Sequence, residues 1–429
     1  MKKSNYLTKY SFAVYGLGLS GRSVVRYLKR KRVKKIFTWD DKIFYKNQKK
    51  KDLFKESLNK VDYIVMSPGI SVSDSRYRKY LLKNRKKIIT DLDLFYLENS
   101  SIKTLVVTGT NGKSTTCKLL EHLLKTNKTD VKLGGNIGKP VLDLKIRKNT
   151  TVVIEASSFQ LAYSQFLIPT YAILLNITKD HIDWHKNIAH YVNSKFKIFS
   201  RQNEKNYAFL NNHKLIKIFK KNNFKSKLIR VENKNLIPQV KKLIKNSYLL
   251  SKPNFENLIF TYKVAKILKI KTKFFLEAVN TFKGLPHRHE FFFKKKEISF
   301  INDSKATSFD ASKYALGKNN NILWIVGGQP KLGDKFKLKN LKKNIIKAYV
   351  IGKHTNFFTN QLIKKIKYKI SYNLKKAIID IFQDLTDLKT TKLTILLSPA
   401  SASYDQFKNF VDRGNQFKKL INIYAKKFI

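Results

Sequence analysis

Residues Thr108-Gly109-Thr110-Asn111-Gly112-Lys113-Ser114 place two glycines, a lysine and three hydroxyls between the apolar run Leu105–Val107 and a helical pattern over Thr115–Lys125. Glycines let such a loop curl until its N–H groups face a phosphate; a lysine there can bridge β- and γ-phosphoryl oxygens, and a hydroxyl can ligate magnesium. The spacing GxxGKS is two residues shorter than the common GxxxxGK loop, and it points to a nucleoside triphosphate. A second glycine loop, Gly16-Leu17-Gly18-Leu19-Ser20-Gly21, follows the run Phe12–Tyr15 and opens a helical pattern over Ser23–Lys31. A tight turn, a close backbone approach and a helix N-terminus suit a diphosphate there. Asp40 falls after the next run, about where an acid would meet a ribose hydroxyl. This second loop would serve a dinucleotide or a UDP-sugar. A plain NAD-dependent oxidoreductase leaves the first loop unexplained.

Carboxylates and hydroxyls recur at similar places. Glu155 ends the run Val152–Ile154, and Asp180 and His181 follow Ala172–Leu175. Hard oxygen ligands suit magnesium. In the last third, Asn302-Asp303-Ser304-Lys305-Ala306-Thr307 and Ser398-Pro399-Ala400-Ser401-Ala402-Ser403 each follow an apolar run, a clustering that suits a small anionic substrate such as an amino-acid carboxylate.

The elements that must position these groups are short apolar runs, each followed by a polar or glycine cluster and a helical pattern. Besides those named they include Lys35–Trp39, Tyr63–Val65, Leu323–Val326, Ala348–Ile351 and Thr394–Leu397. Runs without alternation fit strands buried on both faces, so the expectation is α/β with several doubly wound, mostly parallel sheets. Such sheets bind ligands beyond the carboxyl ends of their strands. Domain joints are expected near Asp91–Glu98 and at Gly284-Leu285-Pro286, dividing the chain into residues 1–92, 93–284 and 285–429. The Lys/Asn-rich stretch His213–Tyr248 reads as a peripheral, solvated part of the middle domain.

Composition narrows the function classes. The 429 residues carry 88 Lys+Arg against 29 Asp+Glu, a net charge of +59. Only 12 of the 88 are Arg, whereas base readout favours its bidentate fork. The lysines also spread over the whole chain, so a basic nucleic-acid-binding ATPase is the weaker reading. The charge acts instead as an attractive field for anionic substrates and anionic lipid surfaces. A single cysteine, Cys117, excludes a disulfide scaffold and a multi-cysteine metal site. No apolar run approaches the ~18 residues of a membrane span, and the expectation is a cytoplasmic, monomeric protein.

Taken in order, the two glycine loops, Gly134-Gly135-Asn136-Ile137-Gly138 and Glu155-Ala156-Ser157-Ser158-Phe159-Gln160 resemble the ATP-dependent Mur ligases. Gly284-Leu285-Pro286-His287-Arg288, Asn302–Thr307 and Asp405-Gln406-Phe407-Lys408-Asn409-Phe410 narrow the resemblance to the branch that adds D-glutamate to UDP-N-acetylmuramoyl-L-alanine. The resemblance implies three domains, Rossmann-like at both ends with an ATP-binding P-loop domain between them, and an acyl-phosphate mechanism. It implies UDP-substrate contacts at Leu17, Gly18, Ser20, Gly21, Asp40, Asn136 and Ser157. ATP would bind at Gly109, Thr110, Asn111, Gly112, Lys113, Ser114 and Thr115, with Asn257, Arg288 and Asp303 around adenine, phosphates and ribose. Two Mg2+ ions are implied, one held by Ser114 and Glu155, the other by His181 and a carboxylated Lys195. Lys113, His181 and Lys195 would form the catalytic set. Lys305, Thr307, Lys331, Ser403 and Phe410 would position D-glutamate. One departure is that the family's Gly-x-His-Asn turn reads Ser251-Lys252-Pro253-Asn254 here.

Overall fold

Strands of two to seven residues, most of them apolar, form three sheets in the structure, a computed structural model describing residues 6–44, 46–331, 333–386, 388 and 392–428. The chain divides into two compact units, Met1–Lys283 and Gly284–Ile429.

The first unit holds two sheets. Strands β1 (Phe12–Tyr15), β2 (Ile36–Trp39), β3 (Tyr63–Met66) and β4 (Ile88–Ile89) are parallel in the order β2-β1-β3-β4. Strands β5 (Thr104–Thr108), β6 (Val131–Gly135), β7 (Thr151–Glu155), β8 (Tyr171–Leu174), β9 (Tyr207–Leu210) and β10 (Lys227–Arg230) form a parallel sheet ordered β10-β9-β8-β5-β7-β6. The absence of alternation in β5, β7 and β8 has its reason in this sheet. Val106, Ile154 and Ala172 point into one buried cluster, while Leu105, Val107, Val153 and Ile173 point into another on the opposite face. Each large side chain so buried contributes about 1.5–3 kcal/mol.

The first of those clusters also takes Phe12, Val14 and Val65 from the N-terminal sheet, and Leu92, Leu94 and Phe95. The segment Asp91–Glu98 is a buried helix within the first unit. Its capping box pairs Thr90 with Asp93. The stretch His213–Tyr248 is also more ordered than its composition suggests. It forms the helix His213–Lys221 and the edge strand β10, and sends Leu215, Phe219, Val231 and Val240 into the core. Its lysines lie on the solvent side of amphipathic elements, which masks the pattern.

The second unit carries β11 (Glu290–Lys295), β12 (Ile298–Asn302), β13 (Ile322–Gly327), β14 (Ile345–Ile351), β15 (Tyr368–Tyr372) and β16 (Leu393–Leu397), ordered β11-β12-β16-β13-β14-β15. Among the described strands of this sheet, only the β11–β12 hairpin is antiparallel. Its strands too bury both faces, with Leu323 and Ile325 on one and Trp324 and Val326 on the other. Among the described residues no helix is long and apolar enough to cross a membrane.

Candidate active site

The phosphate loop leaves β5 at the point where the strand order reverses, with β7 on one side and β8 on the other. Gly109 (φ +154°) and Gly112 (φ +83°) supply backbone that a side chain would resist, and Gly112 caps the helix Lys113–Thr126. A Cβ on Gly112 would sit 2.2 Å from the Asn257 Oδ1. That oxygen accepts from the Thr116 hydroxyl at 3.1 Å, so Asn257 is packed beneath the loop. The loop is held from outside as well. Thr110 N–H donates to the Asn176 carbonyl (2.9 Å), Asn111 N–H donates to Asn176 Oδ1 (2.9 Å), and the Thr110 hydroxyl meets the Tyr191 hydroxyl at 2.8 Å. Lys113 Nζ folds back onto the carbonyls of Gly109 and Thr110, each at 2.9 Å.

Two charged groups stand beside this loop under heavy burial. Glu155 ends β7 at 2% exposure; its Oε1 accepts from Asn136 Nδ2 at 2.8 Å, while its Oε2 is buried with no hydrogen-bond partner. An orphaned carboxylate oxygen at the end of the strand beside the phosphate loop fits a hard divalent cation. Among the described residues no three His, Cys, Asp or Glu side chains converge as a self-sufficient metal site, so such an ion would share its shell with phosphate oxygens. Lys195, 1% exposed, donates to the Gly109 carbonyl at 2.8 Å and lies 4.7 Å from the Tyr191 ring centre. Burial, followed by repulsion from Lys113, pulls its pKa from 10.5 down to about 7 against the attraction of Asp180.

His181 adopts φ +53° and packs at a tilt on Phe159, ring centres 4.8 Å apart, with Asp180 Oδ2 3.5 Å from its Nε2. Burial holds its pKa below the ordinary histidine value. Ser157 caps the helix Ser158–Tyr163, exchanging bonds with Gln160, whose Nε2 donates to the buried Asp91. Ser114 and Thr115 are buried in the first turn of the loop helix. Cys117 lies one turn on, and burial raises its thiol pKa, as suits a core residue.

At the other glycine loop, the helix spans Leu19–Arg30 and so starts four residues before the expected Ser23. The reason is Gly21: a Cβ there would fall 1.8 Å from the Gly16 carbonyl oxygen, so the helix packs directly on the turn. A Cβ on Gly18 would meet nothing within 4 Å, leaving that approach open. Asp40 clasps the loop, accepting from Leu17 N–H at 2.7 Å and from the N–H groups of Lys42 and Ile43. These bonds outweigh its burial and lower its pKa.

The remaining expected residues lie on the second unit at strand carboxyl ends. Asp303 accepts from His289 N–H (2.9 Å) and the Ser398 hydroxyl (2.7 Å), and burial raises its pKa to about 7. Arg288 is half-buried beside it. Lys305 Nζ lies 4.7 Å from the Phe410 ring centre. The Thr307 and Lys331 loops are joined where Phe309 N–H donates to Asp334 Oδ2, and the Lys331 and Ser403 loops where Gln329 and Ala402 exchange backbone bonds. Lys305, Thr307, Lys331, Ser403 and Phe410 thus share one end of this sheet.

Residues 107–275 match the Mur ligase middle domain. A UDP-N-acetylmuramoylalanine–D-glutamate ligase of Rickettsia prowazekii is 35% identical over 97% of this chain and 98% of its own length. The chain belongs to the Mur ligase family. Among solved structures, the UDP-N-acetylmuramate–alanine ligase of Thermotoga maritima shares the fold with a TM-score of 0.56, at 16% identity over 97% of this chain and 100% of that one. The MurF ligase of the same organism, solved in complex with ADP, gives a TM-score of 0.55 at 15% identity, covering 88% and 92%.

Two parts of this Mur ligase have roles that the sequence alone does not assign. Asn176 and Tyr191 brace the phosphate loop from beyond β8, and their types carried no motif. Arg413, fully buried, donates to the carbonyls of Ser304 (2.8 Å) and Ser401 (2.9 Å) and to the Ser304 hydroxyl (3.0 Å), tying the loops after β12 and β16 together. Its signal was visible as one of only 12 arginines in a lysine-rich chain. In the Ser251–Asn254 departure, Ser251 precedes the helix Lys252–Ile267, which has proline in its first turn, and Asn254 still reaches Asn257, its Oδ1 accepting at 3.3 Å.

Proposed function

We propose that this Mur ligase joins D-glutamate to UDP-N-acetylmuramoyl-L-alanine with ATP, through an acyl phosphate, in peptidoglycan precursor synthesis. The observation that carries the reading is the pairing of a phosphate loop with two buried groups, the Glu155 carboxyl with an orphaned oxygen and the Lys195 amine with its lowered pKa. The name of the Rickettsia prowazekii relative supports the choice of amino acid.

The difficulty is that a carboxylate is a poor electrophile. In this reading the L-alanyl carboxylate takes the γ-phosphoryl group, and the D-glutamate amine then attacks the acyl carbon and expels phosphate. Lys113 releases its loop carbonyls to hold the β- and γ-phosphates, which the loop N–H groups cradle. Ser114 and Glu155 would hold one Mg2+, which when bound neutralises phosphoryl charge. The Lys195 amine can add CO2 and lose a proton to become a carbamate, turning a cation into an anionic oxygen donor that with His181 would hold a second Mg2+. Asn257, Arg288 and Asp303 would contact the nucleoside. Asn136, Ser157 and the loop Leu17, Gly18, Ser20, Gly21 with Asp40 would hold the UDP-substrate. Lys305, Thr307, Lys331, Ser403 and Phe410 would hold D-glutamate.

Boundaries near residues 92 and 284 would separate the three working domains. The enzyme would act as a cytoplasmic monomer, its +59 charge giving a weak affinity for anionic surfaces.

The test is phosphate release from Mg-ATP and UDP-N-acetylmuramoyl-L-alanine with D-glutamate, L-glutamate or no amino acid. Release with D-glutamate alone, with the matching product mass, is the expected outcome; no release, under conditions where ATP binds, refutes the reading. Lys195→Ala should lose turnover and regain part of it with added short carboxylates. Absence of rescue refutes the carbamate.

A further inference from the structure

A cavity of about 1000 Å³ opens within the first unit, and none of the residues assigned above lines it. One wall comes from the helix Arg78–Lys83 and the turn after it, carrying Arg78, Lys83, Arg85 and Lys86. The other is aromatic, formed by Tyr163, Trp184 and His190, with the rings of Tyr163 and Trp184 5.4 Å apart and those of Trp184 and His190 parallel within 10°. Lys197 adds charge on the aromatic side, and no aspartate or glutamate lines the space.

The two walls are fixed to each other at three points. Tyr163 accepts from Val72 N–H at 2.8 Å and donates to the Ile70 carbonyl at 3.3 Å. Gln165 Nε2 donates to the carbonyls of Lys86 and Ile88. Lys186 pairs with both oxygens of Asp74 at 2.8 Å on the rim. The cavity is therefore preformed. Its like charges are also gathered around one space: Arg85, Lys86 and Lys197 all line it, with His190 beside them. Such a cluster is unfavourable when empty and is relieved by a bound anion. The size suits a nucleotide-sized ligand rather than a single ion.

We propose that this cavity is a second ligand site, for a small molecule that carries two or more phosphate charges and a flat ring, separate from both glycine loops. The cationic wall takes the phosphates and the Tyr163–Trp184 wall takes the ring. The aromatic wall continues toward the catalytic loop. His185, against Trp184, meets the Ser158 hydroxyl at 2.9 Å and packs on Tyr191, whose hydroxyl contacts Thr110. Occupancy is thus placed to bias the phosphate loop.

The test is calorimetric titration of the full chain with ADP and with inorganic pyrophosphate at about 0.15 M salt, where surface attraction is screened within ~8 Å. Two variants accompany it: Arg85→Glu with Lys86→Glu in the cavity wall, and Lys220→Glu with Lys221→Glu, an equal charge change on an exposed helix end. The expected result is two ADP sites in the parent and the Lys220/Lys221 variant, one in the Arg85/Lys86 variant, and pyrophosphate at least tenfold weaker at the second site. Trp184→Ala, which keeps every cation, should also reduce the stoichiometry to one, guarding against misfolding of the charge-reversed chain. A single ADP site in the parent overturns the proposal, as does equal weakening by both charge reversals. Displacement of the second ADP by UDP-N-acetylmuramoyl-L-alanine would make the cavity part of the substrate cleft and overturn it too. The glycine-loop site is counted separately in each titration, so failure here leaves the ligase reading intact.

Discussion

Replacing Lys195 by methionine removes the ammonium while keeping an unbranched side chain as far as Cε, and the structure fixes how the effect should vary with pH. In the folded chain the amine titrates at about 7, whereas in the unfolded chain it does so near 10.5. Below about pH 7 both states hold the proton, and the folded state bears the whole burial penalty, about 5 kcal/mol. As pH rises above 7 the folded amine is neutral while the unfolded one stays charged. The unfolded state then binds one more proton, and the parent gains about 1.4 kcal/mol per pH step up to 10.5. Methionine does not titrate. The stability of Lys195→Met relative to the parent should therefore fall by about 2.5 kcal/mol between about pH 6.5 and pH 9. The lost hydrogen bond to the Gly109 carbonyl offsets the comparison by about 1 kcal/mol at all pH values. Urea unfolding followed by tryptophan emission, in CO2-free buffer so that the amine stays unmodified, reads this difference. A gap that stays constant within about 0.5 kcal/mol would show that Lys195 is not desolvated, and the carbamate would lose its neutral nucleophile.

Lys113→Ala should lower phosphate release at least about 10³-fold with an unchanged urea midpoint; retained activity would sink the loop assignment. Glu155→Gln keeps the shape of the side chain and its contact with Asn136 but removes the buried charge. The Mg2+ concentration for half-maximal turnover should rise about tenfold, and an unchanged requirement would place the ion elsewhere. Gly112→Ala must displace Asn257 and hold alanine at φ +83°, so ATP affinity should fall by about 1–3 kcal/mol in a binding titration. Arg413→Met leaves the Ser304 and Ser401 carbonyls without their donor, and the KM for D-glutamate should rise more than kcat falls.

The parts of the fold that sequence reading reached were those whose information is local. A glycine loop carries its own backbone requirements, and Leu105–Val107 announces a two-sided strand because both faces of β5 are covered. The edge strand β10 was hidden for the opposite reason: Lys227 and Arg230 are exposed and Leu228 and Ile229 only half-buried, so it lacks an apolar run. Lys195 looked like one lysine among 76, since its state is set by Tyr191, Gly109 and Lys113, which only the folded chain brings around it. Asn176 likewise acts through a loop 65 residues away in sequence. The position of Asp40 in the sequence suits a ribose contact, whereas its bond to Leu17 N–H exists only in the folded chain.

The contact between Gly112 and Asn257 also restricts how this sequence can change over generations. A glycine at 112 leaves no room for itself to be replaced while asparagine stands at 257, and a smaller residue at 257 would first have to give up the bond from Thr116. Each single step is disfavoured, and only a coordinated pair of replacements reaches a different arrangement. Two positions 145 residues apart in the chain are in this way inherited as one character, and lineages that drift freely at their surface lysines should be found to keep or exchange them together.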